Sequence, residues 1–319
     1  MKNFTSILFL LLVIVSCNNK KKIEKEIAKI QVEVIVDRFD RAFAKASPDD
    51  LPGLKNKYPY LFPEQFPDSV WTGRMQDSLQ KVLFEEVNSK FSDFEKEKAA
   101  LEAFFKHVKY YFPEEAVPKV VTVTSDVDYN NSVIYTDSLL LIALDNYLGE
   151  DHRFYEGIQK YLRKNLKKEQ LIVGVAEAFA EKQLPYLTER DFLSQITYYG
   201  KQLYIKSILL PKKSNAEIMG YTPEEWDWAM ANEREIWQYF VEQSLLFSTD
   251  RKLQPRFINP APFSKFYLEL DNESPGQLGR FIGWQIVTAY MGNNDVSLQK
   301  MITTPGRAIF ENSQYKPKK

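Results

Sequence analysis

Two histidines and one cysteine are all the imidazole and thiol that the 319 residues contain. His107 stands in KHVKYY near the end of a helical pattern, and His152 in GEDHRFY, a loop. They share no metal-ligand spacing. Ser-His-Asp chemistry would need one of them beside a nucleophile, and no GxSxG elbow is present. Nor does the chain hold a glycine-rich loop of the kind that cradles phosphates. The nearest approach to a catalytic pattern is VAEAFAE at Val175–Glu181. A zincin helix reads HExxH, with histidines four apart on one face and a glutamate as general base. Here those places hold Ala176, Glu177 and Ala180. Alanine cannot ligate zinc, so only a base-like carboxylate is left, and on their own the seven residues read as a helix of good formers. No catalytic residue, metal ligand set or cofactor is expected.

The cysteine belongs to other chemistry. Met1 and Lys2 give a basic start, and Ile7 to Val15 run unbroken as apolar residues up to Ser16 and Cys17. Counted from Phe4, that run makes a helix of about 18 Å, short of the ~30 Å hydrocarbon core. It has the layout of a secretory signal. Ile14-Val15-Ser16-Cys17 resembles the bacterial lipobox, which implies cleavage before Cys17 and acylation of its thiol and new amine. Residues 1–16 then form the signal peptide, 17–28 the lipidated cysteine and a tether, and 29–319 a single globular envelope domain. Asn18, where the best-known inner-membrane retention signal has aspartate, points to the outer membrane. The lack of an acidic run after Cys17 points to its periplasmic face.

The elements that must position any site follow from periodicity. Ile30, Val32, Val34 and Val36 alternate as in a strand, then shift towards helical spacing through Phe43. Tyr58–Trp71, punctuated by prolines, should be ordered but irregular. Helices are expected over Gln76–Lys90 and Asp93–Tyr111, strands over Lys119–Thr124 and within Ser132–Ala143. Further helices follow over Gln159–Leu166, Lys168–Gln183, Glu189–Leu210, Pro223–Leu246 and Gly276–Met291. Thr222-Pro223-Glu224-Glu225 supplies a cap, a first-turn proline and a capping-box glutamate. Pro211–Gly220 is the best candidate loop. The sum is α+β, mostly helical with a small β-sheet, not alternating βαβ. A formal charge of −1 carries no nucleic-acid footprint, and with Cys17 acylated no thiol remains for disulfides, so packing must hold the fold.

VIVDRFDRAF at Val34–Phe43, IALDNYLGEDHRFY at Ile142–Tyr155, PAPFSKFYLELDNESPGQLGRFIGWQIVTAYM at Pro260–Met291 and SQYKPKK at Ser313–Lys319 together resemble the gliding motility lipoprotein GldB of Bacteroidetes. The resemblance implies a lipid-anchored cell-envelope protein required for gliding, with protein partners in the motility or secretion apparatus. The same layout is similar to a family of predicted zinc-dependent peptidases, in which an HExxH helix follows a small sheet and a glycine-rich helix resembles GRFIGWQIV at Gly279–Val287. That likeness implies a zincin-like, metal-free scaffold reused for binding, with Glu177, Arg280 and Trp284 lining the old cleft. The alternative is an envelope hydrolase acting on peptide or peptidoglycan through Glu177.

Overall fold

The structure, a computed structural model, describes residues 21–269 and 271–318. Cys17, the signal peptide and the first residues of the expected tether lie outside the described residues. Four short strands form one mixed sheet in the order β1-β2-β4-β3: β1 (Val36–Asp37), β2 (Lys119–Val123), β3 (Val133–Tyr135) and β4 (Leu139–Ala143). β1 and β4 flank β2 in parallel, with Val36 beside Val120 and Leu140 also beside Val120. β3 pairs antiparallel to β4, with Ile134 opposite Leu141. Thr136 and Leu139 close that hairpin through side-chain and backbone bonds of 2.8–3.0 Å.

Helices make up most of the rest. Those that matter below are α1 (Phe39–Lys45), α2 (Ser78–Lys90), α3 (Glu95–Tyr111), α4 (Leu171–Gln183), α5 (Phe192–Leu209), α6 (Pro223–Ala231), α7 (Glu233–Glu242), α8 (Leu278–Asn293) and α9 (Gly306–Ser313). The expected mostly helical α+β class is what the chain adopts. Leu101, Phe104, Phe105 and Val108 form the buried stripe of α3, spaced three and four apart as a core-facing helix requires. Phe104 and Phe112 meet Phe179 of α4 edge-on, with centroids 5.8 and 5.1 Å apart. α4 lies against β3, and α5 and α8 form the most extensive helix pair. A smaller cluster of Phe43, Leu51, Tyr58, Phe62, Met75 and Phe84 packs under the N-terminal helices.

VIVDRFDRAF fastens this N-terminal part to the sheet. Arg38 grips Asp40 with two bonds of 2.9 and 2.7 Å and donates a third to the Phe91 carbonyl at 2.9 Å. Thr122 of β2 donates to the same carboxylate.

Five expectations need correction. Residues 21–27 of the expected tether are helical, and Ile27 is only 2 % exposed. Glu24 accepts from or pairs with His107 Nε2 at 3.3 Å, so this stretch is packed on the body. Of the alternating Ile30–Val36 run, only Val36 enters the sheet: it pairs in parallel with Val120, so the residues before Ile35 run past the start of β2 at Lys119. Tyr58–Trp71 contains the start of a helix, Asp68–Gln76, and the candidate loop Pro211–Gly220 contains another, Asn215–Met219, with a full Ser214/Glu217 capping box. The single helix expected over Pro223–Leu246 divides at Asn232 into α6 and α7. The Thr222/Glu225 capping box forms as expected, with Pro223 in the first turn.

Candidate functional site

α4, α5 and α8 converge on a polar cleft of about 290 Å³. Each contributes one face. From α4 and its entry come Gln170, Val173, Gly174 and Glu177, at the three-and-four spacing of one helical side. α5 offers Gln202, Leu203 and Lys206, and the first turn of α8 offers Arg280 with Gln277 just before it. Tyr129, Ser132, Tyr147 and Tyr161 complete the polar wall. Gly174 is needed for the floor: a Cβ there would stand 2.8 Å from the Tyr147 hydroxyl.

The charges form a chain across the three helices. Lys206 Nζ donates to Glu177 Oε2 at 3.0 Å, and Arg280 Nη1 stands 3.8 Å from Glu177 Oε1. The Lys206 ammonium, helped by Arg280, holds the Glu177 carboxyl below its usual range against the opposing effect of burial. Arg280 is fixed from behind: its Nε donates to the Ile258 carbonyl at 2.8 Å, and its guanidinium lies over the Tyr199 ring, 4.1 Å from the centroid. Burial pushes the Tyr147 phenol up to about 12, so it remains a donor at neutral pH, and it bonds Ser132 Oγ at 3.3 Å.

Glu177 and Arg280 thus line one cleft. Trp284 does not join them. It is 4 % exposed, packs edge-on against Trp226 of α6 at 5.6 Å, and does not line the cleft. Ala176 and Ala180 are fully buried in the core and do not line the cleft, which corrects their expected place beside Glu177 in it. Each histidine has a local job. His107 Nδ1 meets the Ala103 carbonyl at 2.8 Å, and His152 caps the turn Arg153–Tyr155. Among the described residues no group of three His, Cys, Asp or Glu side chains is placed to hold a metal.

Sequence reasoning missed Gln202 and Lys206. Their signal was available: ITYYGKQLYIKSILL is a largely apolar helix interrupted by Lys201, Gln202 and Lys206, which cannot all reach solvent. Lys201, the third, turns away from the cleft and donates to the carbonyls of Ile302 and Thr304 at 2.9 and 2.6 Å. Burial pushes its ammonium down to about 8. The unfolded chain therefore binds more protons between pH 8 and 10.5, and stability rises with pH across that window. Lys201→Met should remove that slope, worth on the order of 3 kcal/mol across the window. Urea titrations of both proteins at pH 7.5 and 10 check it, and parallel pH curves would refute it.

Fold and cleft define an α+β protein, mostly helical, whose charged pocket sits where three helices meet. The chain belongs to the family of the gliding motility protein GldB, a lipoprotein family, whose model matches residues 20–317. Membership gives it a role in gliding motility. No curated protein and no solved structure matches the chain.

Proposed function

We infer that the protein is a lipid-anchored envelope component of the gliding machinery that works by binding rather than catalysis. The cleft at Glu177 is where it holds a protein partner of the motility or secretion apparatus. The state of Glu177 carries this reading. A general base works best with a pKa near the operating pH, whereas this carboxylate is pulled lower and one of its oxygens is held by an ammonium. Glu177 is also the sole carboxylate among the residues lining the cleft, with no histidine or cysteine beside it.

The anchor at Cys17 and a periplasm-facing place on the outer membrane belong to the same proposal; the lipobox and the lipoprotein family support the first. A zincin-like ancestry would need Ala176 and Ala180 to face the cleft beside Glu177, whereas the two cleft-facing places four apart are Val173 and Glu177, so that ancestry forms no part of the reading.

Complementation of a null strain tests the reading, with protein abundance measured in parallel. Cys17→Ser should lose incorporation of a fatty-acid analogue and most gliding. Glu177→Gln should glide nearly as wild type, and Arg280→Ala should glide poorly at normal abundance. Undiminished labelling of Cys17→Ser would refute the anchor. Loss of gliding in Glu177→Gln, together with stoichiometric zinc in the wild type, would make the protein a hydrolase.

A further inference from the structure

We propose that the cleft is a carboxylate receptor: it takes the free C-terminal carboxylate of a short peptide between Lys206 and Arg280, and Glu177 occupies that position until the ligand arrives. This rests on the binding reading above and gives it a ligand class.

The site is built from donors in excess of acceptors. Two cations and one carboxylate leave a formal surplus of one positive charge. Lys206 is 3 % exposed, and among the described residues Glu177 accepts its one hydrogen bond, although an ammonium carries three donors. Arg280 spends Nε on a backbone carbonyl; among the described residues its terminal nitrogens make no hydrogen bond, since 3.8 Å to Glu177 is too long for one. Gln202 is 5 % exposed, lines the cleft, and has no side-chain partner among the described residues. Its amide is not sealed from solvent in the cleft, so its donor and acceptor stay available to a ligand.

Glu177 differs from its neighbours in freedom. Its side chain is 43 % exposed, so it can swing out toward solvent while Lys206 cannot follow. An incoming carboxylate would replace it on Lys206 and also gain the planar fork of Arg280, the geometry that suits carboxylates. The cleft's 290 Å³ lies at the small end of ligand pockets, enough for the last residue or two of a chain. Leu162, Val173, Leu203 and Met219 supply apolar wall for a terminal side chain.

The sign of one substitution separates this proposal from other uses of the cleft. Acetyl-trialanine with a free carboxylate, its C-terminal amide, the amide of acetyl-Ala-Glu-Ala and inorganic phosphate would be titrated at millimolar concentrations into the purified protein by calorimetry. The free acid should bind and the trialanine amide should bind at least about tenfold more weakly. Glu177→Gln should tighten binding of the free acid several-fold, because it removes the competing carboxylate. Lys206→Met should abolish binding; should it fail to fold, Arg280→Gln, whose side chain is partly exposed, is expected to weaken binding by about tenfold.

Equal binding of acid and amide, weaker binding by Glu177→Gln, or no binding of the free acid would overturn the proposal. So would tighter binding of phosphate, or binding of the glutamate-containing amide as tight as that of the free acid. If the peptides fail while Arg280→Ala still stops gliding, the ligand class is wrong and the binding reading stands.

Discussion

Gly283→Ala is expected to cost a large share of the protein's stability. α5 and α8 cross with backbone against backbone, and a Cβ at position 283 would lie 1.8 Å from the Ile196 carbonyl oxygen and 2.5 Å from its carbon. The reciprocal contact is nearly as close, since a Cβ on Gly200 would lie 2.2 Å from the Gly283 oxygen. No rotamer change relieves a clash with backbone, so the helices would have to move apart. That would loosen Phe192, Leu193, Phe281 and Ile282, all fully buried. Overpacking costs typically 1–3 kcal/mol, and a backbone clash belongs above that, at about 3–5 kcal/mol. Against a typical total of about 5–15 kcal/mol that is a large share. Gly292, near the end of the same helix with nothing within 4 Å, supplies the control. Gly292→Ala should be neutral or stabilise by up to about 1 kcal/mol. Urea denaturation followed by circular dichroism reads both, and a Gly283→Ala midpoint equal to that of wild type would sink the argument.

Asp145→Ala should cost about 3 kcal/mol and open one wall of the cleft. The Asp145 side chain is fully buried and accepts from the backbone N–H of Ser125 at 3.0 Å and of Val127 at 2.7 Å. Burial nevertheless raises its pKa, outweighing those two donors. The bonds hold Asp126 and Val127 at φ of 57° and 61°, a left-handed conformation that a β-branched residue rarely adopts. Alanine would leave both N–H groups without a partner and release the strain. Tyr129, two residues on, would then leave the cleft. Asp145→Asn keeps the shape and one acceptor oxygen, so it should lose less. Hydrogen exchange at the Ser125 and Val127 amides, measured beside the denaturation midpoint, decides it. Retained protection of both amides in the alanine variant would show that the carboxylate does not hold the loop.

The parts of the fold legible in the sequence are those whose causes are local. α3 shows its apolar stripe, α6 its capping box, β4 its β-branched and leucine run, and VAEAFAE its helix. Segments that depend on a distant partner read less well. Ile30, Val32 and Val34 alternate as a strand should, yet only the following Val36 finds an edge to pair with. Residues 21–27 look polar enough for a tether, and become a packed helix through Ile27 and the Glu24–His107 pair. Arg280 and Trp284, four apart, ought to share a face; the packing of Trp226 over the second turn of α8 separates their surroundings.

Three features can be read directly from the chain: the helical α+β class, the apolar run that stops just before Cys17, and the carboxylate on the helix at Glu177. Each of these follows from residue type and short-range period. Only the tertiary structure decided what surrounds that carboxylate. Lys206 lies 29 residues away and Arg280 more than a hundred, on helices whose approach is set by the glycine contact at Gly200 and Gly283. No local period encodes that distance. It comes from the close packing of α5 on α8, which brings two cations to one glutamate and leaves their remaining donors facing a cavity.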